Sequence, residues 1–117
     1  MNLIKPMVIK TGITLILEMV SSKADGKTYE TPEKINNLTK LIDGNSKGNW
    51  WCWCIDTAHL WGAGIDISSA SNMQKWINGI ERPEKIGMIH LNGSSAIRGS
   101  GKDKHEIAWS KDDIMWH

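Results

Sequence analysis

The chain has 117 residues, which allows one domain with a real core but falls short of the roughly 200 that a closed (β/α)₈ barrel needs. Hydrophobic residues make up 40% and charged residues 23%, so the chain is neither disordered nor fibrous. Fourteen basic against thirteen acidic residues leave a net charge of +1, which excludes a nucleic-acid binder held by bulk electrostatics and makes any such contact local.

After the opening M-N-L-I-K-P, the residues Lys10, Thr11 and Gly12 interrupt the apolar stretch well short of a membrane span or secretory segment. The run T-G-I-T-L-I-L over 11–17 leads into Glu18 and predicts a strand buried on both faces. A helix is predicted next, with Thr31 as cap, Pro32 at its first position and Glu33 just inside. Its apolar stripe is Ile35, Leu38, Leu41 and Ile42, and Asp43-Gly44 stops it. The run W-W-C-W-C-I over 50–55 leads into Asp56 and predicts a second buried strand, with Trp51 and Trp53 packing on one face.

Cys52 and Cys54 stand two apart, which is neither a zinc nor a redox spacing. They read as reduced core residues, with an intracellular, reducing compartment (cytoplasm or nucleus) expected. A second helix is predicted over 69–80, with Met73, Trp76, Ile77 and Ile80 on one face and Ser68, Ser69 or Ser71 as its cap. Pro83 prevents it from running on. The run I-G-M-I over 86–89 leads into His90 as a third strand, and residues 110–117 read as a capped first helical turn.

The order is β-α-β-α-β, with polar strand ends 38 and 34 residues apart. A barrel of about 250 residues gives roughly 31 per βα unit, so the intervals suit barrel units with modest insertions. They also suit an open doubly wound sheet, and both folds place function at the carboxyl ends of strands. Glu18, the D-x-x-H of Asp56 and His59, His90, and the D-x-H of Asp103 and His105 all fall at or beyond those ends. Imidazole nitrogens and carboxylate oxygens are the ligands of zinc and manganese sites in hydrolases. Singly, each has a plain structural explanation: a loop anchor for Glu18, a helix cap for Asp56, a satisfied core histidine for His90, a solvated turn for D-x-H. Their coincidence at three consecutive strand ends favours a metal site.

In this order the motifs resemble the endonuclease IV family of zinc-dependent apurinic/apyrimidinic (AP) endonucleases, which have a TIM-barrel fold. The matching stretches are L-I-L-E ending at Glu18, C-I-D-T-A-H over 54–59 running on to Gly64 and Asp66, H-L-N from His90, and G-S-G-K-D-K-H over 99–105. The resemblance covers about residues 10–106 and corresponds to strands five to seven of the family barrel. It implies a partial TIM (β/α)₈ barrel of about three βα units, with residues 1–117 as one partial domain and the chain a fragment of the family fold. It also implies a site of up to three zinc ions that hydrolyses the phosphodiester 5′ of an abasic nucleotide in double-stranded DNA, a base-excision-repair activity. Glu18 then matches a carboxylate bridging two metals, Asp56 and His90 match ligands of one of that pair, and His59, Asp103 and His105 match the ligands of the third. Glu18, Asp56 and His90 are the catalytic set by this carry-over. The family's remaining ligands, two histidines and a glutamate, lie in regions this chain does not match, and His117 matches none of them.

The chain departs from the family pattern at Gly93, where Asp is common, and after His105, where a Gly-rich turn gives way to Glu106-Ile-Ala-Trp-Ser-Lys. Arg98, Lys102 and Lys104 give the 93–105 loop positive charge for phosphates, and Trp61 is the tryptophan placed to touch nucleic acid. Two other readings stand beside this one. The first is an inactive or split-gene barrel fragment that binds metal, self-associates or pairs with a complementary fragment. The second, a sugar isomerase relative, shares the barrel and the metal-carboxylate style but fits the C-I-D-T-x-H element less well.

Overall fold

The computed structural model describes residues 3–20, 30–44 and 48–116. Among them α1 spans Ile4–Thr11, β1 Leu15–Glu18, α2 Pro32–Asp43, β2 Trp51–Asp56, α3 Thr57–Gly62 and α4 Ala70–Asn78. A 3-10 turn at Pro83–Lys85 leads into β3 at Ile86–His90, followed by the short β4 (Gly93–Ser94) and β5 (His105–Glu106). The first three strands form a parallel sheet in the order β1-β2-β3. Parallel neighbours require crossover connections, which α2 supplies on one side of β2 and α3 with α4 on the other. The register sets Glu18 opposite Cys54 and Asp56 opposite His90, so the polar strand ends fall on one rim of the sheet.

The core lies between the sheet and its helices. Trp51 and Trp53 pack edge to face with ring centroids 5.2 Å apart, both buried. Their indole N–H groups donate to α2, Trp51 to Asp43 Oδ1 and Trp53 to Thr39 Oγ1, each at 2.9 Å. Trp76 of α4 donates to the Glu30 carbonyl at 2.9 Å. Asp43 also pairs with Arg82 and has Lys85 Nζ 3.8 Å away. Lys85 is itself buried, which pulls its pKa below the ordinary lysine value, while its ammonium donates to the Gly48 and Trp51 carbonyls.

Both predicted helices form, and both caps are made by the expected residue types: Thr31 Oγ1 accepts from Lys34 N and Ser69 Oγ from Asn72 N. Five expectations need correction. The first run is not a strand from residue 11, because Thr11 ends α1 and Gly12 turns the chain in a left-handed cap with φ 71°. Burial on both faces holds for β2 alone. The outer strands β1 and β3 leave Ile16, Met88 and Ile89 exposed, and among the described residues each pairs with a strand on one edge only. Leu41 is 77% exposed, because α2 turns Ile35 and Thr39 inward and leaves Leu41 off that face. The second helix is shorter than 69–80, ending at Asn78.

Residues 110–116 form turns rather than a helical start, for a reason that lies in Asp113. Its buried carboxylate accepts backbone N–H bonds from Ser94, Trp109, Met115 and Trp116 at 2.8–3.4 Å. Bonds to those scattered amides satisfy the charge, and a continuing helix would not offer them. Trp109 takes a positive φ of 61° to present its amide. Burial raises the Asp113 pKa, but the four N–H donors outweigh it and hold the carboxyl below the ordinary aspartate value. A depressed folded pKa contributes stability above the unfolded value of about 3.9 and loses it as pH falls through the folded value. Asp113→Asn should therefore cost about 2 kcal/mol at pH 7 in urea unfolding, with the gap from the parent closing below about pH 4. A gap that does not change with pH contradicts this role.

Candidate metal centre

Asp56 ends the central strand and divides its carboxylate between two tasks. Oδ1 accepts from the backbone N–H of Ala58 at 2.8 Å and His59 at 3.3 Å, capping α3. Oδ2 accepts from Asn92 Nδ2 at 2.8 Å and lies 3.6 Å from both His90 Nδ1 and His105 Nε2. Asp56 thus caps α3 through Oδ1, while Oδ2 faces Asn92 and the two histidines. Thr57 ties the next strand end to this point: its hydroxyl accepts from Asn92 N at 2.8 Å and donates to the Asn92 carbonyl at 2.6 Å.

His59 is buried on α3, with Nδ1 2.6 Å from the Met19 carbonyl. A carbonyl oxygen only accepts, so Nδ1 carries a proton, and Nε2 is the ring nitrogen turned toward the D-x-H loop. That Nε2 is 3.2 Å from Asp103 Oδ2 and 3.3 Å from His105 Nε2, and His105 Nε2 is 2.7 Å from Asp103 Oδ1. Burial lowers the His59 pKa, but the Met19 carbonyl, Asp56 and Asp103 together raise it above the ordinary value. Glu18 Oε1, at the end of β1, is 3.2 Å from His90 Nδ1 and 3.6 Å from His59 Nδ1.

The D-x-H loop reaches this cluster by two devices the sequence did not reveal. Strand β5 pairs antiparallel with β4, placing His105 opposite Ser94. Gly99 N and Gly101 N donate to the carbonyls of Trp61 and Gly62, each at 2.9 Å, pinning the loop to the end of α3. Two groups of three ligand atoms result, each within 4.8 Å: Asp56 with His59 and His105, and Glu18 with Cys54 and His90. Imidazole nitrogens and carboxylate oxygens at these separations fit a divalent cation of the zinc type. All six proposed ligands are therefore brought to one rim.

The weaker candidates are placed less favourably. Trp61 is half-buried, with its N–H given to the Ala96 carbonyl at 2.9 Å and the Arg98 guanidinium 5.7 Å from its ring. Arg98 is exposed but paired with Asp66 at 2.7 Å, whereas Lys102 and Lys104 are exposed with no ion pair among the described residues. His117 lies outside the described residues. Sequence reasoning passed over Met19, Thr57, Asn92 and Asp113, and read Cys54 as a reduced core residue. The first acts through its carbonyl and carries no side-chain signal. Thr57 and Asn92 stood inside quoted motifs without an assigned task.

No family model matches the chain. It is 35% identical over 99 residues to a "Probable AP endonuclease" of African swine fever virus, covering 80% of this chain and 33% of that one. Similarity to a "Probable endonuclease 4" of Mycoplasma mobile is 39% over 98 residues, covering 81% and 32%. Among solved structures, "The crystal structure of AsfvAP:AG" superposes with a TM-score of 0.77 at 32% identity, over 90% of this chain and 36% of that chain. The crystal structure of endonuclease IV from Thermus thermophilus gives 0.60 at 20% identity, over 86% and 35%, a likeness of fold. The chain thus resembles the AP endonuclease and endonuclease IV family and has a partial TIM-barrel α/β fold. It spans about a third of the length of the curated relatives it matches.

The departure at Gly93 has a steric cause. A Cβ there would lie 2.7 Å from both carboxylate oxygens of Asp113, so Asp113 fills the space that a side chain at 93 would enter. Gly93→Ala should cost about 2 kcal/mol in the parent and under about 1 kcal/mol in an Asp113→Ala background, measured as a double-mutant cycle by urea unfolding. Equal costs in both backgrounds contradict the contact.

Proposed function

Because the chain resembles one third of an AP endonuclease, we propose that it carries three strand ends of a zinc-dependent centre that hydrolyses the phosphodiester 5′ of abasic sites in double-stranded DNA. The observation that carries this reading is the meeting of His59 Nε2, His105 Nε2 and Asp103 within 3.3 Å of one another at the carboxyl rim of a parallel sheet. In it His59, Asp103 and His105 hold one ion. Glu18, Asp56 and His90 would hold neighbouring ions, for up to three ions in a complete site. When bound, zinc would supply Lewis-acid activation of water and neutralise charge on the phosphoryl and leaving 3′ oxygens; manganese suits the same ligand types.

The chain's own residues orient this machinery. The Met19 carbonyl holds the His59 tautomer, Asn92 and the α3 N-terminus hold Asp56, and Thr57 holds the backbone beyond His90. Exposed Lys102 and Lys104 supply local positive charge for the DNA backbone, with Trp61 and Arg98 as weaker contacts. An abasic nucleotide lacks a base to stack, so it is drawn into such a site at lower cost than an intact one. An intracellular, reducing location belongs to the same reading, which the two free thiols suit.

A second reading is favoured by the exposed Ile16, Met88 and Ile89 on the outer strands. In it the chain binds metal without catalysis and covers these strands by self-association or by pairing with a complementary barrel segment.

Zinc affinity measured by chelator competition should fall about 10-fold or more in each of His59→Ala, Asp103→Ala and His105→Ala. Unchanged zinc binding with all three replaced overturns the metal reading. With the remaining two thirds of a relative's barrel supplied, nicking of a duplex bearing one abasic site should drop about 100-fold in Glu18→Ala. Activity that survives this substitution contradicts the mechanism, and absent nicking with zinc still bound favours the second reading.

A further inference from the structure

Cys54 lies two residues before Asp56 on β2, opposite Glu18 in the β1–β2 register. Its Sγ, a Glu18 carboxylate oxygen and a His90 ring nitrogen all lie within 4.8 Å of one another. The cysteine is 1% exposed, whereas the Glu18 and His90 side chains are 37% and 44% exposed. The thiol therefore forms a floor beneath two accessible ligand groups. Its surroundings are not those of a core thiol, for two of its close neighbours are ionisable.

We propose that Cys54 is a metal ligand, joining Glu18 and His90 to bind a thiophilic divalent cation of the zinc, cobalt or cadmium type. The proposal rests on reading the strand ends as a metal centre and adds a sulfur donor to it. On binding, the S–H bond breaks, a metal–sulfur bond forms, and the proton leaves to solvent. A thiolate also discriminates between metals: zinc, cobalt and cadmium gain from it, whereas magnesium and manganese prefer oxygen ligands.

Cobalt titration of the chain, followed by absorption spectroscopy, tests this directly. The parent should show a thiolate-to-cobalt charge-transfer band in the near ultraviolet, together with visible ligand-field bands. The charge-transfer band should persist in Cys52→Ala and vanish in both Cys54→Ala and the nearly isosteric Cys54→Ser, while ligand-field bands from the His59 set remain. In His90→Ala the band should require about 10-fold more cobalt. Should both Cys54 variants unfold, competition on the parent decides. Cadmium should abolish the band at about 10-fold lower concentration than manganese, and equal potency overturns the proposal. Ligand-field bands without charge transfer in the parent overturn the role of Cys54 and leave the wider metal reading standing. No cobalt absorption of either kind overturns both.

Discussion

A single buried carboxylate, Asp56, organises the functional rim. It ends the central strand, and its two oxygens face in different directions. Oδ1 stops the strand and starts α3 by taking the first free amides of that helix. Oδ2 faces the neighbouring strand end, where Asn92 donates to it and His90 and His105 approach. Because α3 begins where Oδ1 dictates, His59 stands three residues on, one helical turn from the strand end and above Glu18. Removing that carboxylate would uncap the helix and leave Asn92 unpaired in the same stroke. Three further contacts of the site build on this placement: the Met19 carbonyl on His59, the Thr57 hydroxyl on Asn92, and the Gly99 and Gly101 amides on the end of α3.

The chain has seven tryptophans, one tyrosine and no phenylalanine, and this composition has a physical reading in the same terms. Five of the seven tryptophans donate an indole N–H to a named acceptor: Trp51 to Asp43, Trp53 to Thr39, Trp61 to Ala96, Trp76 to Glu30 and Trp116 to Asn92. Phenylalanine fills comparable space but cannot make these bonds. Each bond crosses between elements or loops, so the tryptophans fix the spacing of layers as well as filling them. Trp51 and Trp53 accordingly serve the sheet–helix core, as their shared strand face predicts.

Much of the architecture was legible because it rests on local chemistry. Thr31-Pro32 and Ser69 announced their helices through capping, and the abrupt Glu18, Asp56 and His90 announced the strand ends. What was not legible depends on groups far apart in sequence. The register that sets Asp56 beside His90 is not a local property. Met19 contributes a backbone carbonyl, which every residue type possesses. Gly93 and Asp113 are complementary only because the turn of 110–116 brings them together, and that turn exists because Asp113 gathers four scattered amides. The two-sided burial expected of apolar strands failed at β1 and β3 for a related reason. Apolar sequence states what a strand face prefers, whereas its neighbours decide what covers it.

The exposed apolar faces and the metal-type rim belong to one description, since the chain corresponds to about a third of the relatives it resembles. Within that third, the His59, Asp103 and His105 atoms meet using residues from α3 and the D-x-H loop alone. If these atoms are poised to bind zinc, anomalous diffraction at the zinc edge from zinc-soaked crystals of the chain reads it most directly. The expected result is a peak about 2.0–2.1 Å from Nε2 of both His59 and His105, with Asp103 as a further ligand. Zinc confined to other surface groups, with both Nε2 atoms unliganded, would contradict it.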